Sequence, residues 1–243
     1  MRIAIIADVH ANLPALKASL SALDAAGYDY LACLGDVVGY GGQPEECCQI
    51  VRERADVTVL GNHDAAVAGR MNYDYYRTAA RDALRTHRRV ISKESLAWLK
   101  TLPYEATLGE VRFCHGVPPE LEAFDYLFAM GQVQPLIRAY PTQHKVTFVG
   151  HSHLCKAFSY VQDSAREVLR TRFKLEEARK YIVSVGSVGQ PRDYDARSCS
   201  GIYDTDAKQF EFVRVHYDIE AAAEKIYQAK LSDAFARRLF VGV

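Results

Sequence analysis

The 243-residue chain has no excess of charge of either sign, since 30 Lys and Arg face 30 Asp and Glu. No whole-molecule field therefore draws it toward nucleic acid or an anionic membrane, and any such binding has to be local. Long apolar runs are missing too. The opening stretch from Met1 to Ala7 is apolar, but Asp8 and His10 interrupt it before a cleavage site of small residues appears, so it reads as a strand and not a signal peptide. Nothing approaches the roughly 18 apolar residues of a spanning helix; a soluble chain without a membrane partner is expected. The six cysteines (Cys33, Cys47, Cys48, Cys114, Cys155, Cys199) form no C-x-x-C pair. A chain of this length needs no disulfides to hold its core, so a reduced, cytoplasmic setting is expected. Internal repeats, low-complexity tracts and long Gly/Ser/Pro linkers are absent, which predicts one domain over residues 1–243.

What is present is ordinary globular composition, 49% apolar and 25% charged, in which short β-branched runs alternate with amphipathic stretches. The first half reads βαβαβ: strand from Arg2 to Ala7, helix from Leu13 to Ala26 closed by Gly27, strand from Tyr30 to Leu34, helix from Glu45 to Arg54, strand from Val57 to Leu60. Residues 65–102 read as helical without a strand signal until Pro103 ends them. Strands are then expected at Tyr104 to Leu108, Val111 to Cys114, Val146 to Val149, Ala157 to Val161, Glu167 to Phe173, Tyr181 to Val185, Gly201 to Asp204 and Phe210 to His216. Asp218 caps a last helix running to about Leu231. Parallel crossovers in the first half and extra strands in the second predict an α/β fold, a four-layer αββα sandwich of two mixed sheets flanked by helices.

Five of these strands are followed at once by residues of metal-ligand type: Asp8-Val9-His10, Gly35-Asp36, Gly61-Asn62-His63-Asp64, His115-Gly116 and Gly150-His151-Ser152-His153. Ligands bind in the crevice beyond the carboxyl ends of strands in open α/β sheets, so these loops can converge. Asp-x-His and His-x-His place two side chains on one side of an extended strand end. Imidazole nitrogen and carboxylate oxygen suit divalent Mn, Fe, Zn or Ni. The donors are too many for one ion, whereas two ions sharing a carboxylate account for them.

These five motifs, in this order, resemble the calcineurin-like metallophosphoesterase superfamily from residue 1 to about 200. The run from Gly186 to Arg192 resembles the last active-site loop of its small YfcE-like prokaryotic phosphodiesterases. The resemblance implies that Asp8, His10, Asp36 and His153 hold one metal and Asp36, Asn62, His115 and His151 the other. It leaves His63 as the catalytic histidine that is not a ligand. A water shared by the two ions is the expected nucleophile on phosphorus, with His63 stabilising charge or protonating the leaving oxygen.

In one place the sequence departs from the family pattern. Many members follow the second-strand Gly-Asp with a further Asp-Arg; here the run is Asp36-Val37-Val38-Gly39-Tyr40-Gly41-Gly42. Protein phosphatase activity is thereby disfavoured. Asp64 either orients His63 as a catalytic partner or caps the following helix. Arg192, Gln190 and Tyr40 are the nearest candidates for substrate contacts, although Gln190 and Arg192 also read as a surface turn held by Pro191. The segment with Tyr73, Tyr75 and Tyr76 before Arg77, Arg81, Arg85, Arg88 and Arg89 is either a substrate lid or a solvated helix face over packed tyrosines. His87, His144 and His216 read as structural or solvent-facing. Phe235, Leu239 and Phe240 either dock on the body or seal a homo-oligomer.

The expected activity is hydrolysis of a phosphodiester in a small, nucleotide-like phosphorylated molecule. A phosphomonoesterase, a protein phosphatase or a non-catalytic scaffold of the same fold are the alternatives. A nuclease is disfavoured by neutral charge and the lack of an added DNA-gripping domain.

Overall fold

A computed structural model describes residues 1–243. In chain order the elements are β1 (Arg2–Ile6), α1 (Leu13–Ala26), β2 (Tyr30–Cys33), α2 (Pro44–Arg54), β3 (Val57–Thr58), α3 (Asn62–Ala68), α4 (Thr78–Val90), α5 (Lys93–Thr101), β4 (Glu105–Leu108), β5 (Val111–Cys114), α6 (Gln134–Arg138), β6 (Val146–Val149), β7 (Cys155–Tyr160), β8 (Ala165–Glu167), β9 (Arg172–Lys174), β10 (Lys180–Val185), β11 (Ser198–Asp204), β12 (Gln209–Val215), α7 (Ile219–Gln228) and α8 (Asp233–Val241). They build two mixed six-stranded sheets, ordered β3-β2-β1-β11-β12-β9 and β4-β5-β6-β10-β7-β8. Both sheets are flanked by helices, as the alternation of apolar runs predicted.

Strand β1 shows how the layers are made. Alternate residues of a strand point to opposite faces. Ile3 and Ile5 join Phe113, Phe148, Val183 and Phe210 in the core between the sheets. Ala4 and Ile6 join Leu16, Leu20 and Leu23 of α1 on the outer side. A central strand buried on both faces must be apolar throughout, which is why its sequence runs as an unbroken apolar stretch.

The structure corrects several expected boundaries. The helical stretch from 65 to 102 is three helices. Gly69, left-handed at φ 78° and ψ 25°, ends α3, and the Asn72 side chain accepts from the Asp74 N–H in the turn that follows. Ser92 caps α5. The single strand expected from Glu167 to Phe173 is two. β8 pairs with β7 in one sheet and β9 with β12 in the other, so the chain crosses between sheets at a bend where Leu169 is exposed. After Asp218 caps α7, a further helix, α8, follows. Phe235 and Leu239 dock it on the body while Phe240 stays exposed.

Phe210 is fully buried and packs against Phe148, Phe173 and Phe212 at ring-centroid distances of 5.3, 5.6 and 4.9 Å. Phe210→Ala is expected to cost about 3–5 kcal/mol by transfer and cavity terms together, read from urea unfolding. A loss under about 1 kcal/mol would mean that the inter-sheet layer collapses around the gap.

Candidate metal centre

The five motif loops meet at one edge of the sandwich, tied by backbone bonds and by the His63 and His151 N–H groups donating to the Asp36 and Asp8 carboxylates. Asp8 N–H donates to Gly35 O (3.0 Å), His10 N–H to Asp36 O (2.9 Å), Gly150 N–H to His115 O (3.0 Å) and Gly189 N–H to Asp8 O (2.9 Å). Asp8, His10, Asp36, Asn62, His115, His151 and His153 are all buried. Five of these seven, Asp8, His10, Asp36, His151 and His153, have φ between +48° and +67°. Non-glycine residues held left-handed cost on the order of 1–3 kcal/mol each and persist only where their surroundings over-determine them. Gly61 shows the tightness: a Cβ there would lie 2.1 Å from Asp36 Oδ1.

The donor atoms fall into clusters whose members lie within 4.8 Å of one another: Asp8, His10 and His153; Asp36, His115 and His151; and His10, Asp36 and His63. Asp36 Oδ2 stands 3.7 Å from His10 Nε2 and 3.4 Å from His115 Nε2, so one carboxylate faces both sides. His115 Nε2 is 3.1 Å from Asn62 Oδ1, and the Asn62 amide is held by its Nδ2 donating to the Tyr76 hydroxyl at 2.6 Å.

The chemistry of this donor set tests whether a cation fits. Nδ1 of His10 faces Val38 O at 3.0 Å, Nδ1 of His153 faces Gln190 O at 2.5 Å, and Nδ1 of His115 faces Leu34 O at 2.7 Å. A carbonyl only accepts, so each Nδ1 carries a proton, and the neutral rings of His10 and His153 turn a bare Nε2 lone pair inward. Nε2 of His10 and of His153 then face each other at 3.0 Å, with Asp8 Oδ1 3.4 Å from His153 Nε2. Burial holds both rings well below the usual histidine range, so no proton is shared between them. Lone pairs packed in this way call for a cation, and the carbonyl behind each ring is the partner that fixes a metal-binding tautomer.

Burial lifts the Asp8 carboxyl to about 7. It opposes ionisation of Asp36 as well, but His115, His63 and His10 outweigh it and hold that carboxyl well below the usual range. Burial pulls His115 down, yet Asp36 and Asp8 push it up to about 9. His63 is pushed down to about 4, chiefly by burial. Its ring packs edge-on to His10 at 4.9 Å and against Tyr40 at 4.5 Å. Its Nδ1 is buried without a partner.

The model of the calcineurin-like phosphoesterase superfamily domain matches residues 1–208. The chain belongs to this superfamily. It is 36% identical over 244 residues to an uncharacterized protein of Methanocaldococcus jannaschii, covering 99% of this chain and 98% of the relative. A metallophosphoesterase from Sphaerobacter thermophilus matches with a TM-score of 0.83 at 33% identity, over 100% of this chain and 99% of the other. A hypothetical protein from Pyrococcus horikoshii shares the fold at 17% identity, with a TM-score of 0.78 over 100% and 98% of the two chains. The family and the His/Asp clusters together point to divalent-metal binding in this phosphoesterase.

Asp64 takes the capping one of its two expected roles, and Gln190 stands behind the cleft wall. The Asp64 carboxylate accepts from the backbone N–H groups of Val37, Val38 and Gly61. It caps α3 and pins the Asp36 loop, and it makes no hydrogen bond to His63. Gln190 is buried, and its Oε1 accepts from Arg192 at 3.0 Å. It therefore braces Arg192, which faces the cleft, instead of lining that cleft itself. Of the arginines in the insert, Arg77 alone lines the cleft. Arg81 and Arg88 bond backbone carbonyls, Asp74 O and Val67 O, and Arg85 pairs with Asp82. Tyr73 and Tyr76 pack beneath the insert, while Tyr75 is 72% exposed in the cleft wall.

The residue that sequence reading undervalued is His87 of α4. It is buried; its Nδ1 accepts from Gly39 N–H at 3.0 Å and its Nε2 donates to Gly41 O at 2.9 Å. It thereby clamps the loop on which Tyr40, left-handed at φ 59°, stands against His63. Gly39 has to be glycine, because a Cβ there would lie 2.2 Å from His63 Nδ1. His87→Ala would leave a donor and an acceptor buried without partners and is expected to lower the unfolding free energy by about 2–4 kcal/mol. Denaturant unfolding of the variant checks this; a change below about 0.5 kcal/mol would mean that water replaces the ring.

Proposed function

We propose that this phosphoesterase holds two divalent cations and hydrolyses a phosphodiester bond in a small, nucleotide-like molecule. The observation that carries the reading is Asp36 Oδ2, placed between His10 Nε2 at 3.7 Å and His115 Nε2 at 3.4 Å. A single carboxylate oxygen flanked by two donor sets is what a shared ligand of two ions requires. Asp8, His10, Asp36 and His153 would hold one ion, and Asp36, Asn62, His115 and His151 the other. The ions, when bound, supply Lewis acidity that polarises a phosphoryl oxygen and acidifies water. Mn, Fe, Zn and Ni all suit this mixed imidazole and carboxylate set.

The chain's own residues supply the rest. Arg192 faces the cleft with its guanidinium held by Gln190 and lying over the Tyr40 ring at 5.6 Å. Arg192 has no carboxylate partner, so its cleft-facing guanidinium is free to meet a phosphoryl oxygen. His63, fixed by Gly39 and Tyr40 and not by a carboxylate, offers one ring N–H to charge developing on the leaving oxygen. The cleft, about 690 Å³ and lined by Tyr40, Tyr75, Phe124, Tyr126 and Phe235 among others, has room for a substituent on each side of phosphorus. That space favours a diester over a monoester, and its aromatic rings suit a base-like group.

The test is a metal-reconstituted assay comparing bis-p-nitrophenyl phosphate with p-nitrophenyl phosphate in Mn, Ni and Co. The diester is expected to be preferred; preference for the monoester would make the protein a phosphatase, and no turnover with any metal would leave a scaffold. His63→Ala is expected to lower kcat by about 10²–10⁴-fold with metal content unchanged by elemental analysis. Loss of metal in that variant would make His63 a ligand instead. Mn²⁺ at 100 times its dissociation constant should stabilise the fold by about 2.7 kcal/mol, seen as a rise in Tm of roughly 5–10 °C. An unchanged Tm would sink the metal assignment.

A further inference from the structure

The aromatic cleft leads away from the metal centre along a line of touching side chains. Tyr40 packs against His10 and His63 on one side, with centroids 4.5 Å from each. On its other side it packs against Phe235 of α8 at 4.9 Å. Arg238 stands three residues after Phe235, on the same face of that helix, and lines the cleft with it. Arg77, immediately before α4, lines the same cleft. Helices α4 and α8 are held side by side by the apolar contacts of Ala79 and Ala83 with the cluster of Phe235, Ala236 and Leu239.

Neither Arg77 nor Arg238 forms an ion pair with a carboxylate. Asp36, already engaged at the metal centre, is the sole side-chain carboxylate in the cleft wall. The terminal carboxylate of Val243 also lines the cleft but pairs with neither arginine, and a planar guanidinium matches phosphate with paired hydrogen bonds. Arg192 is a separate case, tied to Gln190 beside the metals.

From this geometry we infer that Arg77 and Arg238 form a second phosphate subsite, beyond Tyr40 and Phe235, so that the favoured substrate carries a second phosphate besides the ester that is cut. The inference rests on the phosphodiesterase reading above and narrows it to esters of aromatic molecules with two or more phosphates. Arg238 stands on α8, outside the family-matched span of residues 1–208, whereas Arg77 lies within it, and neither belongs to the metal motifs.

Calorimetric titration of the Mn²⁺-loaded protein with adenosine 3′,5′-bisphosphate and with 5′-AMP reads the subsite without turnover. The bisphosphate is expected to bind at least about tenfold more tightly, as two further charge-assisted hydrogen bonds imply. Arg238→Ala and, independently, Arg77→Ala should each erase most of that ratio, and Arg238→Lys should restore part of it. Arg77 is exposed, so its replacement does not endanger the fold. Equal affinities in the unaltered protein, or a ratio that survives both alanine variants, would overturn the subsite. If bis-p-nitrophenyl phosphate is cleaved while the ratio is flat, the subsite alone has failed. If the ratio is flat and no diester is cleaved in any metal, the phosphodiesterase reading has failed with it.

Discussion

The Asp36 carboxylate is the group on which the rest of this centre depends. Its Oδ1 accepts the His63 backbone N–H at 2.8 Å, its Oδ2 faces His10 and His115, and its main-chain carbonyl accepts from His10 N–H at 2.9 Å. One residue thereby joins the loops after β1, β2, β3 and β5. A buried carboxylate without partners would neutralise itself. Here the surrounding histidines, His115 first, hold it ionised against burial, and that negative charge is what the centre offers a cation.

The sandwich exists to bring those loops to one point. The β1 and β2 loops belong to one sheet, the His115 and His151 loops to the other, and they meet because the apolar residues Ile3, Ile5, Phe113 and Phe148 close the space between the sheets. The strain of the left-handed residues sits at the ends of these strands. It is held there by backbone bonds that run from loop to loop, such as Val188 N–H to Ala7 O at 2.9 Å. Local conformational cost is thus met by long-range packing, the arrangement expected where a rigid site matters more than local comfort.

The cluster of candidate donor residues was legible because each motif follows a strand and strand ends are marked by apolar runs that stop abruptly. The two faces of β1 were legible for the same reason. Asp64 was not, since a carboxylate three residues after Gly61 reads equally as a cap and as a partner for His63, and only the positions of the Val37 and Val38 N–H groups decide between them. His87 was hidden in a basic helical run, its partners 46 and 48 residues away. Residues 115–145, where three short 3₁₀ turns surround α6, carry no sustained period of either kind. The crossing from β8 to β9 looks like one strand because alternation along a chain does not say which sheet each part joins.

Tyr40 is where the two halves of the protein meet. The reactive half is made by strand ends set in the sandwich core, and the substrate wall is made by α4 and α8, which lie on its periphery. Tyr40 touches His10 and His63 of the first and Phe235 of the second. Its backbone is strained and its loop is clamped by His87 from α4. With Val37-Val38-Gly39 following Asp36 and no carboxylate bonded to His63, the ring that packs on His63 is the same ring that α8 packs against. The cleft wall on α8 and His63 therefore share one rigid contact. A change in how the wall packs cannot leave the geometry at His63 untouched, because an interior packed to crystal-like density transmits displacement instead of absorbing it.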